Sequence, residues 1–243
     1  MKIGIWLPSG VPTSFRVYCD AVTAELAALG ASTVPFADPA AAPRHVDVLW
    51  DIRSGGGNPP PDALLASGLP PLVVTVHGFA PMSLPRREYY RAWRERLAAW
   101  NETRLKQSLW RRVRDRIGGA IAVSNFTAGE IAHHAGIAPS RVTVAPHGVD
   151  MRAFVPAGRR VGAAPCLLHV SNDEPRKNVG RILRAFGELR RVQPAAELVL
   201  KLPEDARGRY PYQAGVRAIH GHLPTLSTAD RIPGFGFKVS GSA

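Results

Sequence analysis

Short apolar runs alternate with helically spaced ones along this chain. KIGIWL (2–7) has the form of a buried strand, closed by Pro8, Ser9 and Gly10. Over Ser14–Leu29, Val17, Ala21, Ala24, Leu26 and Ala28 supply an apolar side, which predicts a helix with Gly30 as its stop. STVPF (32–36) and VDVLWDI (46–52) predict two more strands, and RSGGGNPPP (53–61) has no periodicity and reads as a loop. LVVTV (72–76) is the strongest strand signal and ends at His77 and Gly78. GAIAVS (119–124) ends at Ser124. Ser124, Asn125 or Thr127 caps the helix that follows, with Glu130 in its first turn. RVTV (141–144) leads to Pro146, His147 and Gly148, and a second series opens with CLLHVS (166–171) and continues with AELVLKL (196–202).

Strands alternating with helical segments predict a parallel sheet covered on both faces. In such sheets ligands sit beyond the carboxyl ends of the strands. Ser9, His77, Ser124, His147, Ser171 and Asn172 all fall at such ends. The Pro/Gly/Arg-rich stretch around 156–164 separates the two series as a linker, giving an N-terminal domain over 1–155 and a C-terminal one over 165–243.

Residues 87–117 carry an unusual helical pattern. Tyr90, Trp93, Leu97 and Trp100 step by three or four, then Leu105, Leu109, Val113 and Ile117 step by four, with a break expected near Asn101 and Glu102. The other side is rich in arginine, including Arg94, Arg104, Arg111, Arg112 and Arg116. One reading is a solvated basic face over a stripe packed in the core. The other is docking to an anionic lipid surface, since basic and aromatic helices bind headgroups.

Charge bears on that choice. Among 243 residues, 31 Lys and Arg face 19 Asp and Glu, a formal charge of +12 that favours anionic partners. Charge alone gives only salt-sensitive, non-specific contact with nucleic acid, so nucleic acid is not an expected partner. Two distant cysteines, Cys19 and Cys166, make neither a disulfide framework nor a metal knuckle. His133 and His134 are adjacent and should diverge on a helix, while His220 and His222 have no third ligand nearby, so no metal is assigned. No apolar run has the length to cross a bilayer. The expected location is the cytoplasm, with peripheral attachment at the inner membrane face as the second reading.

The corner VSNDEPRKNVGRILRAF (170–186) is the richest in chemistry. A strand stops, a turn carries Arg176 and Lys177, and Val179, Ile182, Leu183 and Phe186 begin a helix. First-turn N–H groups point outward there and the helix dipole adds positive charge. With two cations this is an anion site suited to a diphosphate. Ordinary surface cations in a turn would give the same local sequence.

Four stretches in order, VTVHGFAP (74–81), AIAVSNFTAGEI (120–131), RVTVAPHGVDMRAFVP (141–156) and LLHVSNDEPRKNVGRILRAFGELR (167–190), resemble the family 4 glycosyltransferases. The resemblance covers about 74–190. It implies an α/β chain of two Rossmann-like parallel-sheet domains of GT-B type, an acceptor-side domain followed by a nucleotide-sugar domain. It implies retaining transfer of a hexose from a nucleotide-diphosphate sugar to a glycan or lipid-linked acceptor, with no cofactor. Arg176, Lys177, Ser171 and Asn172 would hold the donor diphosphate, and His77 would be the catalytic residue facing the sugar. Ser124, His147 and Gly148 would line the cleft, although a strand-end turn role fits Ser124 and His147 equally, and a capped surface histidine fits His77.

The chain departs from the family pattern in two places. Many members have Gly-Arg where Ser171 and Asn172 stand. Near the end, PGFG (233–236) resembles the family's E-G-F-G, with Pro233 and Gly241 at the positions of its two glutamates. The second domain is therefore expected to be incomplete, and a catalytically defective remnant or non-catalytic binding module of the same fold stands as the alternative.

Overall fold

The computed structural model describes residues 1–55, 57–90, 92–149, 151 and 165–220. The expected linker at 156–164, His222, Pro233–Gly236 and Gly241 lie outside them. The chain divides into two packed units, Met1–His147 and Gly148–Ala243.

In the first unit the strands are β1 (Lys2–Trp6), β2 (Ser32–Phe36), β3 (Val48–Gly55), β4 (Leu72–Gly78), β5 (Ile117–Ala122) and β6 (Val142–Val144). They form one sheet in the order β2-β1-β3-β4-β5-β6, and every pairing is parallel. The helices are α1 (Thr13–Ala28), α2 (Ala80–Ser83), α3 (Arg86–Tyr89), α4 (Trp93–Val113) and α5 (Asn125–Glu130), the last running into a π-helical turn at Ile131–Ala135. Side chains alternate across each strand. Ile3, Ile5, Trp50 and Ile52 therefore meet α1 on one face, while Leu49, Val74, Val76 and Phe79 meet Trp110 and Val113 of α4 and Ile131 on the other. The buried indole of Trp50 donates to Thr75 Oγ1 at 2.8 Å, so its polar edge is satisfied inside the core.

The helices differ from the sequence expectation in which line of residues they bury. α1 buries Cys19 and packs Phe15, Tyr18, Val22 and Leu26 against the sheet. Val17, Ala21, Ala24 and Ala28 are exposed. The large side chains at i, i+3, i+4, i+7 and i+11 win because they remove more apolar area from water than alanines do. α4 runs unbroken through Asn101 and Glu102; the interruption falls between α3 and α4, where Glu95 Oε2 accepts the N–H of Ala92 at 2.9 Å. It buries Ala99, Trp110 and Val113, leaving Trp93, Leu97, Trp100 and Leu105 exposed.

β3 also extends further than expected, through Arg53–Gly55, with shifts of register against β4 after Asp51. The loop beyond it turns at Gly57, φ +82°, where an added Cβ would strike Met82. The Gly57 carbonyl accepts from Trp110 Nε1 at 2.9 Å, fastening the loop to α4.

The second unit has β7 (Cys166–Val170), β8 (Glu197–Leu202) and β9 (Val216–His220), parallel in that order, and one long helix, α6 (Val179–Val192). Val179, Leu183 and Phe186 pack on Leu198, Leu200 and Leu202, the face that the spacing in 179–186 predicts.

Candidate functional site

In the first unit the carboxyl ends of the strands gather an aromatic and imidazole cluster. His77 closes β4. Its Nε2 donates to the carbonyl of Ile52 at 2.9 Å, which fixes the proton on that nitrogen and leaves Nδ1 as an acceptor. His147, past the end of β6, stacks on His77 with ring centres 5.4 Å apart and planes 18° from parallel. Phe15 and Tyr18 of α1 meet His77 edge-on at 4.6 and 5.1 Å, and Tyr18 meets His147 at 4.9 Å. Burial lowers the His77 pKa, and the neighbouring His147 lowers it further, against the Ile52 hydrogen bond. The imidazole is thus neutral at neutral pH, the form that can accept a proton.

Sequence reasoning placed His77 and His147 at strand ends but did not pair them, and it missed Phe15 and Tyr18. Their i, i+3 spacing on α1 was the available signal. It also missed Asp51, 1% exposed on β3. Its carboxylate accepts from the N–H of Arg53 at 2.9 Å and from Ser54 Oγ at 3.3 Å, and burial pushes its pKa up to about 6. Arg53 lays its guanidinium 3.9 Å from the ring centre of Trp6.

Ser124 is the N-cap of α5, accepting the N–H of Thr127 at 3.1 Å, with its hydroxyl also 3.0 Å from Thr127 Oγ1. Its hydroxyl is therefore engaged in the turn role. Glu130 sits at the last position of α5, not in its first turn, and Oε2 accepts the N–H of Phe79 at 3.4 Å. His134 is 3.3 Å from Ser83 Oγ through Nε2. His133 and His134 do not diverge: the wider π-helical turn brings their rings into edge contact at 4.6 Å. Among the described residues no cluster of His, Cys, Asp or Glu has metal-binding geometry. Gly148 has open space where a side chain would stand.

In the second unit the cationic corner is a 3-10 turn, Pro175–Lys177, followed by Asn178 in the left-handed conformation, φ 52°, and then α6. The side chain of Asn178, the N-cap residue, makes no capping hydrogen bond to the start of α6. Ser171 is buried, its main-chain N–H donates to the Lys201 carbonyl at 3.1 Å, and its hydroxyl is 2.8 Å from His169 Nε2. Burial and the charge of Lys177 lower the His169 pKa. The turn contains its own counter-charge: Glu174 accepts from both Asn172 Nδ2 and Arg176 Nε. Asp173, nearly buried, accepts from Arg209 and from the Tyr210 hydroxyl, which ties the loop to the segment after β8. Counting cations alone therefore overstated the charge of the corner. Among the described residues no ion pair involves Lys177, and it lies beside the start of α6.

Comparisons with known proteins agree with this anatomy. Residues 51–153, which include His77, Ser124 and His147, match the profile described as Glycosyltransferase Family 4. No curated protein gives a significant match. Three solved structures are similar. A glycosyltransferase from Rickettsia africae ESF-5 gives a TM-score of 0.50 at 13% identity, over 91% of this chain and 68% of that one. The glycotransferase of kitacinnamycin gives 0.42 at 15%, over 92% and 71%. TarM gives 0.46 at 8%, over 73% of this chain and 33% of that one. At such identities only the fold is shared, and the Rickettsia structure carries that likeness. The fold is α/β of GT-B type, with its two parallel sheets. The likeness to the family 4 glycosyltransferases is that of residues 51–153, less than half of the chain.

Proposed function

We propose that the chain transfers a hexose, with retention of configuration, from a nucleotide-diphosphate sugar to a glycan or lipid-linked acceptor. The first unit would be the acceptor side and the second would take the donor. The observation that carries this reading is the start of α6, without a capping bond from Asn178 and with Lys177 beside it, in a chain whose preceding residues match the family. A leaving diphosphate gains negative charge as the bond to the sugar breaks, and preorganised N–H groups and a cation stabilise that charge. Lys177 supplies the cation and the start of α6 the N–H groups. Arg176 joins them when the diphosphate displaces Glu174 from its guanidinium, and Ser171 and Asn172 border the same turn. At the other end of the reaction, His77 would offer Nδ1 to a sugar or acceptor hydroxyl, with His147 stacked on it; Ser124 and Gly148, each just past a strand end, would line the approach.

One observation favours a non-catalytic binding module instead: Glu174 already neutralises Arg176 and holds Asn172. Isothermal titration with UDP and with GDP, alongside a transfer assay, separates the readings. The transferase reading expects binding of at least one nucleotide, weakened about tenfold or more in Lys177→Ala, because a charge-assisted contact is worth about 1.5–3 kcal/mol. Heat from neither nucleotide would remove the donor site; binding without measurable transfer would leave the binding module.

A further inference from the structure

α4 has two unlike sides. Its inner side carries Ala99, Trp110 and Val113 into the core. On its outer flank Trp93, Leu97, Trp100, Arg104 and Arg111 follow at i, i+4, i+7, i+11 and i+18, a single line along the helix. Trp93 is 66% exposed, Leu97 60% and Trp100 42%. Each indole has a guanidinium beside it: Arg94 lies 5.4 Å from the centre of Trp93, and Arg104 lies 4.7 Å from Trp100. Leu105, also exposed, adjoins Arg104.

Two indoles and a leucine in line are more apolar surface than a helix leaves in water without a use. The charges around them say what covers it. The two acidic residues of the helix are engaged elsewhere, Glu95 with the Ala92 N–H at 2.9 Å and Glu102 with Lys106 at 2.6 Å. Arg94, Arg104 and Arg111 remain on the exposed surface. Indoles flanked by guanidinium groups match the boundary of an anionic bilayer, where rings sit among the glycerol groups and arginines meet phosphates. No helix among the described residues is long and apolar enough to cross a membrane, so the contact would lie in the plane of the surface.

We propose that the Trp93–Leu97–Trp100–Arg104 flank of α4 seats the protein on anionic lipid. The proposal rests on α4 alone and does not depend on sugar transfer. The test is sedimentation of the whole chain with vesicles of phosphatidylcholine, or of equimolar phosphatidylcholine and phosphatidylglycerol. Because a charge of +12 by itself draws protein to anionic vesicles, the deciding comparison is between variants. Trp93→Ser with Trp100→Ser should lower binding to anionic vesicles about tenfold or more, with unchanged circular dichroism. Leu29→Ser, at an exposed apolar residue outside the flank, should leave binding unchanged. Arg94→Gln with Arg104→Gln should lower the preference for anionic over neutral vesicles.

Three results overturn the proposal. The first is no binding to anionic vesicles. The second is a Trp93/Trp100 double variant that binds as well as the parent chain. The third is self-association of the parent chain, lost in that double variant while vesicle binding persists, which would assign the flank to a second copy.

Discussion

Asp51→Asn isolates the cost of a buried carboxyl group. Asp51 is 1% exposed on a strand shared with the main-chain partner of His77. Its two hydrogen bonds and the nearby Arg53 charge favour the ionised form, but burial outweighs them and moves the pKa from 3.8 to about 6. At about 1.4 kcal/mol per pKa unit, the ionised folded state loses about 3 kcal/mol. The unfolded chain releases this proton near pH 4, while the folded chain keeps it until about pH 6. The folded state thus binds more protons in that window, and stability falls as pH rises through it, remaining lower above it. Asparagine has no charge to desolvate; its oxygen can accept from the Arg53 N–H and its amide can donate to Ser54. The variant should match the parent near pH 4 and exceed it by up to about 3 kcal/mol near pH 8. Urea unfolding followed by tryptophan fluorescence is a suitable assay, because all five tryptophans, Trp6 to Trp110, lie in the first unit and report it alone. A variant less stable than the parent near pH 8, or a difference that does not vary with pH, would refute the argument.

Two further predictions concern packing and backbone. Trp110→Ala should cost about 3–5 kcal/mol by the same assay, whereas Trp100→Ala, on the outer flank of the same helix, should cost within about 0.5 kcal/mol; equal losses would mean that the two sides of α4 are misassigned. Asn178→Ala should destabilise the second unit by about 1 kcal/mol and Asn178→Gly much less, because only the former places a Cβ at positive φ without the Asn side chain. Hydrogen exchange along α6 reads this, and equal protection in both variants would contradict it.

Most strands were legible because runs such as LVVTV are apolar enough for a sheet covered on both faces; β9, VRAIH, interleaves polar letters and was not anticipated. α1 was legible in extent, whereas α4 lacks the break expected near Asn101 and Glu102, and neither was legible in orientation. On α4 two lines of residues have helical spacing, one through Trp93, Leu97 and Trp100 and one through Ala99, Trp110 and Val113, and only the packing of the rest of the unit selects the second. On α1 the alanines suggested the wrong side, because a periodicity count gives a methyl group the weight of a phenyl ring. Site legibility divides the same way. His77 and His147 stand at strand ends that any α/β reading would inspect, and Lys177 at an obvious turn. Asp51 lies inside the run VLWDI, where a polar letter looks like an interruption, and its hydrogen bonds depend on a shift of register that the sequence does not display. Glu174 was in plain view, but its grip on Arg176 depends on how a 3-10 turn folds back on itself.

The tether from Glu130 to the amide of Phe79 spans fifty-one positions of sequence yet acts two residues from His77. It denies the tip of β4 a hinge: whatever displaces α5 tugs on the histidine-bearing segment through a carboxylate and two peptide planes. Altered behaviour at that imidazole can therefore originate in α5, at the far end of a carboxylate-to-amide hydrogen bond.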